Sequence, residues 1–238
     1  MDVGALVSEI DAELRARGNA ERAEQEKLYL RSALEHYGTT VPALRAVVRS
    51  VAGRRPALGH DDLLRLVDAL WSAPVHERRM ATVEVLTLRA DGLKCGDILV
   101  LERLLREART WALVDGLAAS VVGPLVERCG DLGAVLDRWA ADEDFWLRRS
   151  ALLALLLALR RGGGDFARFC RYAEPMLEDK EFFVRKAIGW VLRDTARKRP
   201  AIVYEWLLPR AARASGVTLR EAVKALSDEQ RAAVLSAR

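Results

Sequence analysis

The stretch Asp142-Glu143-Asp144-Phe145-Trp146-Leu147-Arg148-Arg149-Ser150-Ala151 recurs in altered form as Asp179-Lys180-Glu181-Phe182-Phe183-Val184-Arg185-Lys186-Ala187-Ile188, at a spacing of 37 residues. Each copy runs acid, turn, aromatic, Arg and then an Ala-containing helix. A repeat of roughly 35 to 40 residues built this way is the pattern of the second helix of a HEAT-type helix pair. One pair cannot bury its apolar stripe alone, so pairs stack into a curved solenoid whose concave face is lined by the second helices. The expected fold is all-α, a HEAT-like helical-repeat solenoid with a concave binding face; an ordinary helical bundle is the alternative.

Outward from the repeat, the rest of the chain also reads as helix. Leu63, Leu66, Val67 and Leu70 fall at i, i+3, i+4 and i+7, as do Leu101, Leu104, Leu105 and Ala108, which is the apolar stripe of an amphipathic helix. Breaks are expected at Gly38, Pro42, Gly53 to Gly59, Pro74, Gly92 to Gly96, Gly130 to Gly133, Gly162 to Gly164, Pro200 and Gly216. No convincing strand intervenes. Of the tryptophans, Trp71, Trp139, Trp146 and Trp206 read as packing.

The 238 residues are 51% hydrophobic and 30% charged, with 16 Gly and 7 Pro, which excludes a disordered or collagen-like chain. At this length residues 1–238 read as one repeat domain with a sizeable core of its own. The longest apolar run, Ala151 to Leu159, is too short to cross a bilayer, and the opening Met1-Asp2-Val3-Gly4 lacks the basic and apolar segments of a leader. A cytoplasmic protein is expected.

Cys95, Cys129 and Cys170 form no CxxC pair and have no His at ligand spacing, and His occurs only at positions 36, 60 and 76. Neither a metal site nor histidine-based catalysis is expected. Without a Walker loop or GxGxxG, no nucleotide or flavin cofactor is expected either. The charge is uneven. Residues 1–100 hold 14 Lys+Arg against 15 Asp+Glu, whereas 144–199 hold 13 against 7, a net of +6 in a chain whose total is +4. Such a basic window on a balanced protein is an electrostatic footprint for a polyanion, nucleic acid first, although a solvated helical surface has the same composition.

Four residues stand out as candidates for chemistry. Trp111 and Asp115 are i, i+4 on one helix and project from one face; Arg149 and Trp190 lie in the two repeat copies. If the second helices line one wall, these side chains would converge. Together with their surroundings they resemble the AlkD-type DNA alkylation repair glycosylases over nearly the whole chain. The resemblance is carried by Tyr29 with Tyr37-Gly38 and Pro42-Ala43-Leu44-Arg45, by Leu70-Trp71, Trp111 to Asp115 and Trp146 to Ala151, and by Glu181 to Arg193. The run Lys186-Ala187-Ile188-Gly189-Trp190-Val191-Leu192-Arg193 is its most specific part. Two departures, Gly162 to Gly164 in place of a charged turn and Ala112 where a polar residue is common, leave the four side chains untouched.

The resemblance implies a monofunctional DNA glycosylase of base excision repair. It would hydrolyse the N-glycosidic bond of cationic N3- or N7-alkylated purines, such as 3-methyladenine and 7-methylguanine. It implies Trp111, Asp115 and Trp190 as catalytic positions, Arg149 on a backbone phosphate and Tyr29 facing DNA, with Arg148 and Lys186 as further DNA-binding groups. The partner is alkylated double-stranded DNA, bound by a monomer without cofactor, metal or membrane, and nucleoid-associated while bound.

The residue types suit that chemistry. A cationic base leaves without being protonated, so no general acid is needed. A fixed carboxylate beside the sugar stabilises oxocarbenium charge that grows only in the transition state. Indole faces attract a cationic nucleotide by roughly 0.5–2 kcal/mol, and an Arg fork fits phosphate. Plainer roles exist for the same residues: Asp115 in a salt bridge, Arg148 or Arg149 in an inter-repeat ion pair. The competing functions are a silent HEAT-like module binding DNA structures or another protein, and an RNA-binding repeat, for which base-reading side chains at each period are missing.

Overall fold

The computed structural model describes residues 2–54 and 58–238; residues 55–57, inside the break expected from Gly53 to Gly59, lie outside them. The protein is all-α, and among the described residues the sole β-type pairing is an isolated parallel bridge between Glu35 and Val75. No described helix is long and apolar enough to cross a membrane. The chain divides into two compact units, Met1–Leu117 and Ala118–Arg238.

In the first unit the helices are Val3–Ala16, Ala20–Leu30, Val41–Gly53, His60–Trp71, His76–Leu88, Ile98–Ala108 and Trp111–Gly116. Their starts are chemically marked: the side chains of Asp2, Asn19 and Thr40 accept from the backbone N–H groups of Ala5, Arg22 and Ala43, satisfying otherwise orphaned donors. Pro42 sits in the first turn of its helix, where no N–H is missed. The two predicted stripes face inward: Leu63, Leu66, Val67 and Leu70, and likewise Leu101, Leu104, Leu105 and Ala108, are all buried. Each fully buried Leu or Val contributes roughly 1.5–3 kcal/mol. His60–Trp71 packs on Val3–Ala16 and on His76–Leu88, which in turn packs on Val41–Gly53.

In the second unit the main helices are Gly133–Ala140, Phe145–Ala154, Phe166–Met176, Phe182–Ala196, Pro200–Leu207, Gly216–Ala222 and Asp228–Ser236. The two copies of the sequence repeat begin Phe145–Ala154 and Phe182–Ala196, and these helices pack on each other. Both copies build the same turn. Asp142 Oδ1 accepts from the N–H of Asp144 at 2.9 Å, and Asp179 Oδ1 accepts from that of Glu181 at 2.8 Å. The Gly162 to Gly164 run makes the tight connection before Phe166–Met176, with Gly162 and Gly164 at φ of 91° and 70°, a region closed to most side chains. Trp139, Trp146 and Trp206 are buried here, as Trp71 is in the first unit, so all four read correctly as packing.

The period seen in the sequence returns in the bonds between helices. In the first unit Arg103 pairs with Asp68, 35 residues away, Trp71 Nε1 donates to Glu107, 36 away, and His60 meets Asp97, 37 away. In the second unit Arg161 pairs with Glu127 at 34, Tyr172 with Asp137 at 35 and Arg210 with Glu174 at 36. Side chains in each unit thus tie one helix pair to the next at the repeat length, the nearest-neighbour architecture of a repeat array.

Candidate functional site

In the first unit the site begins at a sharp corner. Arg109 adopts a left-handed conformation with φ of 47°, uncommon for a residue with a Cβ, and turns the chain from Ile98–Ala108 into Trp111–Gly116. On that short helix Leu113 and Val114 are fully buried while Trp111 and Asp115 stay partly exposed. The i, i+4 pair therefore shares the accessible face, as the spacing requires. The helix then widens into a π-helical stretch, Leu117–Val122, a departure from i→i+4 bonding often found at functional positions and without a signature in the sequence.

Tyr29, in the last turn of Ala20–Leu30, is 74% exposed. Its ring meets that of Trp111 edge to face, with centroids 6.0 Å apart and planes at 89°. That arrangement suits aromatic quadrupoles and holds the indole in a fixed orientation. The structure thus brings together Trp111, Asp115 and Tyr29 on accessible surface; the Tyr29–Trp111 contact, across 82 positions, has no local sequence signal.

In the second unit the four expected residues have different surroundings. Trp190 is partly exposed and its indole Nε1 donates to Asp194 Oδ2 at 3.2 Å. Asp194 is 2% exposed and also accepts from Arg160 at 2.8 Å and from Arg193 at 3.2 Å. Burial by itself would raise this carboxyl, but the two guanidinium partners outweigh it and hold its pKa below the ordinary 3.8. Gly189, one residue before Trp190, explains why the helix lies where it does. A Cβ there would come within 2.7 Å of the Thr218 carbonyl oxygen and Glu221 Cβ, so only Gly permits this approach of Gly216–Ala222.

Lys186 is exposed, its ammonium 5.8 Å from the centroid of Phe182. The two neighbouring arginines are committed elsewhere. Arg148 Nε is 3.0 Å from Asp179 Oδ2, with Nη1 donating to the carbonyls of Asp142 and Glu143. Arg149 is 2% exposed and donates from Nη1 to the Phe183 carbonyl. Part of the basic window's charge is neutralised, since Arg148, Arg160, Arg161, Arg168 and Arg193 are ion-paired. Lys180, Lys186, Arg197 and Lys198 are exposed and form no ion pair among the described residues.

One grouping escaped the sequence reading. Glu26, His36 and His76 meet in the first unit, although no ligand-type spacing links them.

Helix pairs tied at a 34-to-37-residue interval define a helical-repeat protein. The chain belongs to the DNA alkylation repair enzyme family, whose profile matches residues 10–226. Among solved structures it is similar to a predicted DNA alkylation repair enzyme from Enterococcus faecalis, at 20% identity and a TM-score of 0.79 over 89% of this chain and 98% of that one. It is also similar to AlkD2 from Streptococcus mutans, at 16% identity and a TM-score of 0.61 over 86% and 99% of the respective chains. At these identities the likeness establishes the fold. No functionally curated protein matches the chain.

Proposed function

We propose that this member of the family is a DNA glycosylase that releases cationic N3- and N7-alkylpurines from double-stranded DNA, acting as a monomer and leaving an abasic site. The observation that carries the reading is the accessible face of Trp111–Gly116. There a carboxylate and an indole stand one helical turn apart, and the exposed ring of Tyr29 braces the indole.

Alkylation at N3 or N7 makes the base its own leaving group, so the protein's task is to stabilise the sugar cation left behind. Asp115 supplies fixed negative charge for it, strongest in the transition state, and can hold the attacking water, as carboxylates do in glycoside hydrolysis. In the first unit Trp111 offers its indole face to the cationic nucleoside, and in the second unit Trp190 is the further aromatic candidate of the same type. Hydrogen bonding to Asp194 anchors the Trp190 ring, which lowers the cost of ordering it on binding. Lys186 supplies exposed positive charge for the backbone. Arg148 and Arg149 reach a phosphate only by giving up the protein partners just described.

Incubating the protein with methylated genomic DNA and identifying released bases by mass spectrometry tests the reading. Release of 3-methyladenine or 7-methylguanine supports it. Binding without release returns the chain to the class of silent repeat modules.

A further inference from the structure

The loop between Ala20–Leu30 and Val41–Gly53 is held by a dense set of backbone bonds. Glu35 N–H donates to the Pro74 carbonyl and His76 N–H to the Glu35 carbonyl, each at 2.8 Å, forming the parallel bridge. Just beyond it the buried carboxylate of Glu77 accepts from the N–H groups of Tyr37, Gly38 and Thr39 at 2.9, 2.6 and 3.1 Å. Residues that follow a parallel bridge on its two strands project to the same side. Here those residues are His36 and His76, and their rings lie stacked, 4.4 Å between centroids and 8° between planes.

Glu26 reaches this pair from the neighbouring helix. Its Oε1 is held by Arg22 at 3.1 Å, while its Oε2 lies 3.6 Å from His36 Nδ1, too far for a hydrogen bond. Glu26 Oε2, both ring nitrogens of His36 and His76 Nδ1 are buried with no hydrogen-bond partner among the described residues, Glu26 Oε2 and His36 Nδ1 facing each other only at ion-pair distance. The His36 side chain is 1% exposed. Buried polar atoms are nearly always hydrogen-bonded, and four that are not, on three adjoining side chains, call for an explanation. All four belong to residue types that ligate metals.

We propose that Glu26, His36 and His76 bind one divalent transition-metal ion, with Zn²⁺ the preferred occupant. The three residues offer donor atoms that all lie within 4.8 Å of one another. Ligands about 2.0–2.1 Å from a tetrahedral Zn²⁺ stand roughly 3.4 Å apart, so binding draws the donors together and tilts the two stacked imidazoles until both ring planes meet at the ion. Two imidazoles and one carboxylate suit Zn²⁺ better than Mg²⁺ or Ca²⁺, which take oxygen ligands. Arg22 already fixes the other carboxylate oxygen, the kind of outer contact that orients a ligand. The ion would join the helix Ala20–Leu30 to the loop and to the start of His76–Leu88. Tyr29 follows Glu26 by three residues on the same helix, so the site would also steady the ring that braces Trp111. That last consequence alone rests on the proposed function.

Untagged full-length protein, stripped of metal with a chelator and kept free of DNA, is titrated with Zn²⁺ by calorimetry and with Co²⁺ by visible absorption. One saturable equivalent is expected, with the intense ligand-field band of low-coordinate Co²⁺. Glu26→Gln and His76→Asn should each weaken binding at least tenfold, whereas His60→Asn, away from the cluster, should not. Zn²⁺ should raise the thermal midpoint of the wild type and not that of Glu26→Gln. Should His76→Asn fail to fold by circular dichroism, Glu26→Gln, whose side chain is 16% exposed, carries the test. Absence of saturable binding, or undiminished binding in Glu26→Gln, overturns the site in favour of a plain Glu26–His36 ion pair. Because no DNA is present, either outcome leaves the glycosylase reading standing on its own test.

Discussion

Arg148 ties two successive repeats together: its Nε lies 3.0 Å from Oδ2 of Asp179, the residue that opens the next repeat, while Nη1 donates to the carbonyls of Asp142 and Glu143 at 2.8 and 2.9 Å. One repeat on, Arg185 donates to the Asp179 carbonyl, the equivalent place in its own turn. The Arg that recurs in the sequence thus closes its own turn, and in the first copy it also links to the second.

Arg148→Ala should therefore destabilise the protein by roughly 2–4 kcal/mol, because it leaves a part-buried carboxylate and two carbonyls short of a donor. Asp179→Asn should cost less, and the double variant less than the sum. Urea denaturation of the four proteins measures the coupling. If stability holds while the salt dependence of DNA binding falls, Arg148 serves DNA instead.

Asp194 sets a pH dependence. Its folded pKa lies below 3.8, held there by Arg160 and Arg193 against burial. As pH falls, the unfolded chain takes up this proton first, so the ionised carboxylate stabilises the fold at higher pH and loses that effect on acidification. Asp194→Asn should be less stable by about 3 kcal/mol at pH 7. The gap should be full above about pH 5 and close as pH drops through 3.8 and lower, read from thermal midpoints across that range. A gap that stays constant would remove the carboxylate's charge from the account.

The parts of this fold that were legible in the sequence are those with a local period. The stripes of Leu63 to Leu70 and Leu101 to Ala108 are buried as their spacing demands, and the repeat around Arg148 and Arg185 carries the architecture. The i, i+4 reading of Trp111 and Asp115 survives because a helix face is a local property. What escaped depends on contacts between distant residues. His36 and His76 are brought together by a backbone bridge at Glu35 and Val75 that no side-chain pattern announces. The charge count of residues 144–199 overstated the free positive charge, since it could not show that Arg148 and Arg149 turn inward to Asp179 and to the Phe183 carbonyl.

Asp115→Asn should retain the fold and the affinity for DNA while slowing single-turnover excision on the order of a hundredfold or more, the scale on which losing one preorganised electrostatic group acts. Rapid-quench assays on an oligonucleotide with one 7-methylguanine measure it. An unchanged rate removes Asp115 from the mechanism.

Lys186 and Arg149 should respond differently to alanine substitution. An exposed lysine on a phosphate contributes close to one unit to the slope of log K against log salt, so Lys186→Ala should lower the slope by about that much with little change in stability. Arg149→Ala should lower stability, since the Phe183 carbonyl loses its donor. A reversal of the two results would place Arg149 on the backbone and Lys186 in solvent.

On the proposed glycosylase function, lesion choice follows from the chemistry of the candidate residues. Glycosylases that read a base edge need hydrogen-bonding side chains in a closed pocket; the candidates here are indole faces, a carboxylate and basic groups, with no cluster of Asn, Gln or His assigned to a base. Selection should then rest on the lability of a cationic glycosidic bond, with contacts falling on sugar and phosphate. Oligonucleotides of matched sequence, each with one lesion, should show release of N3- and N7-alkylpurines and none of uracil or hypoxanthine, whose neutral bases leave poorly without protonation. Free 3-methyladenine should compete weakly, because the base contributes little to binding. Efficient removal of uracil, or strong competition by the free base, would reveal a pocket that reads the base and reject selection by charge.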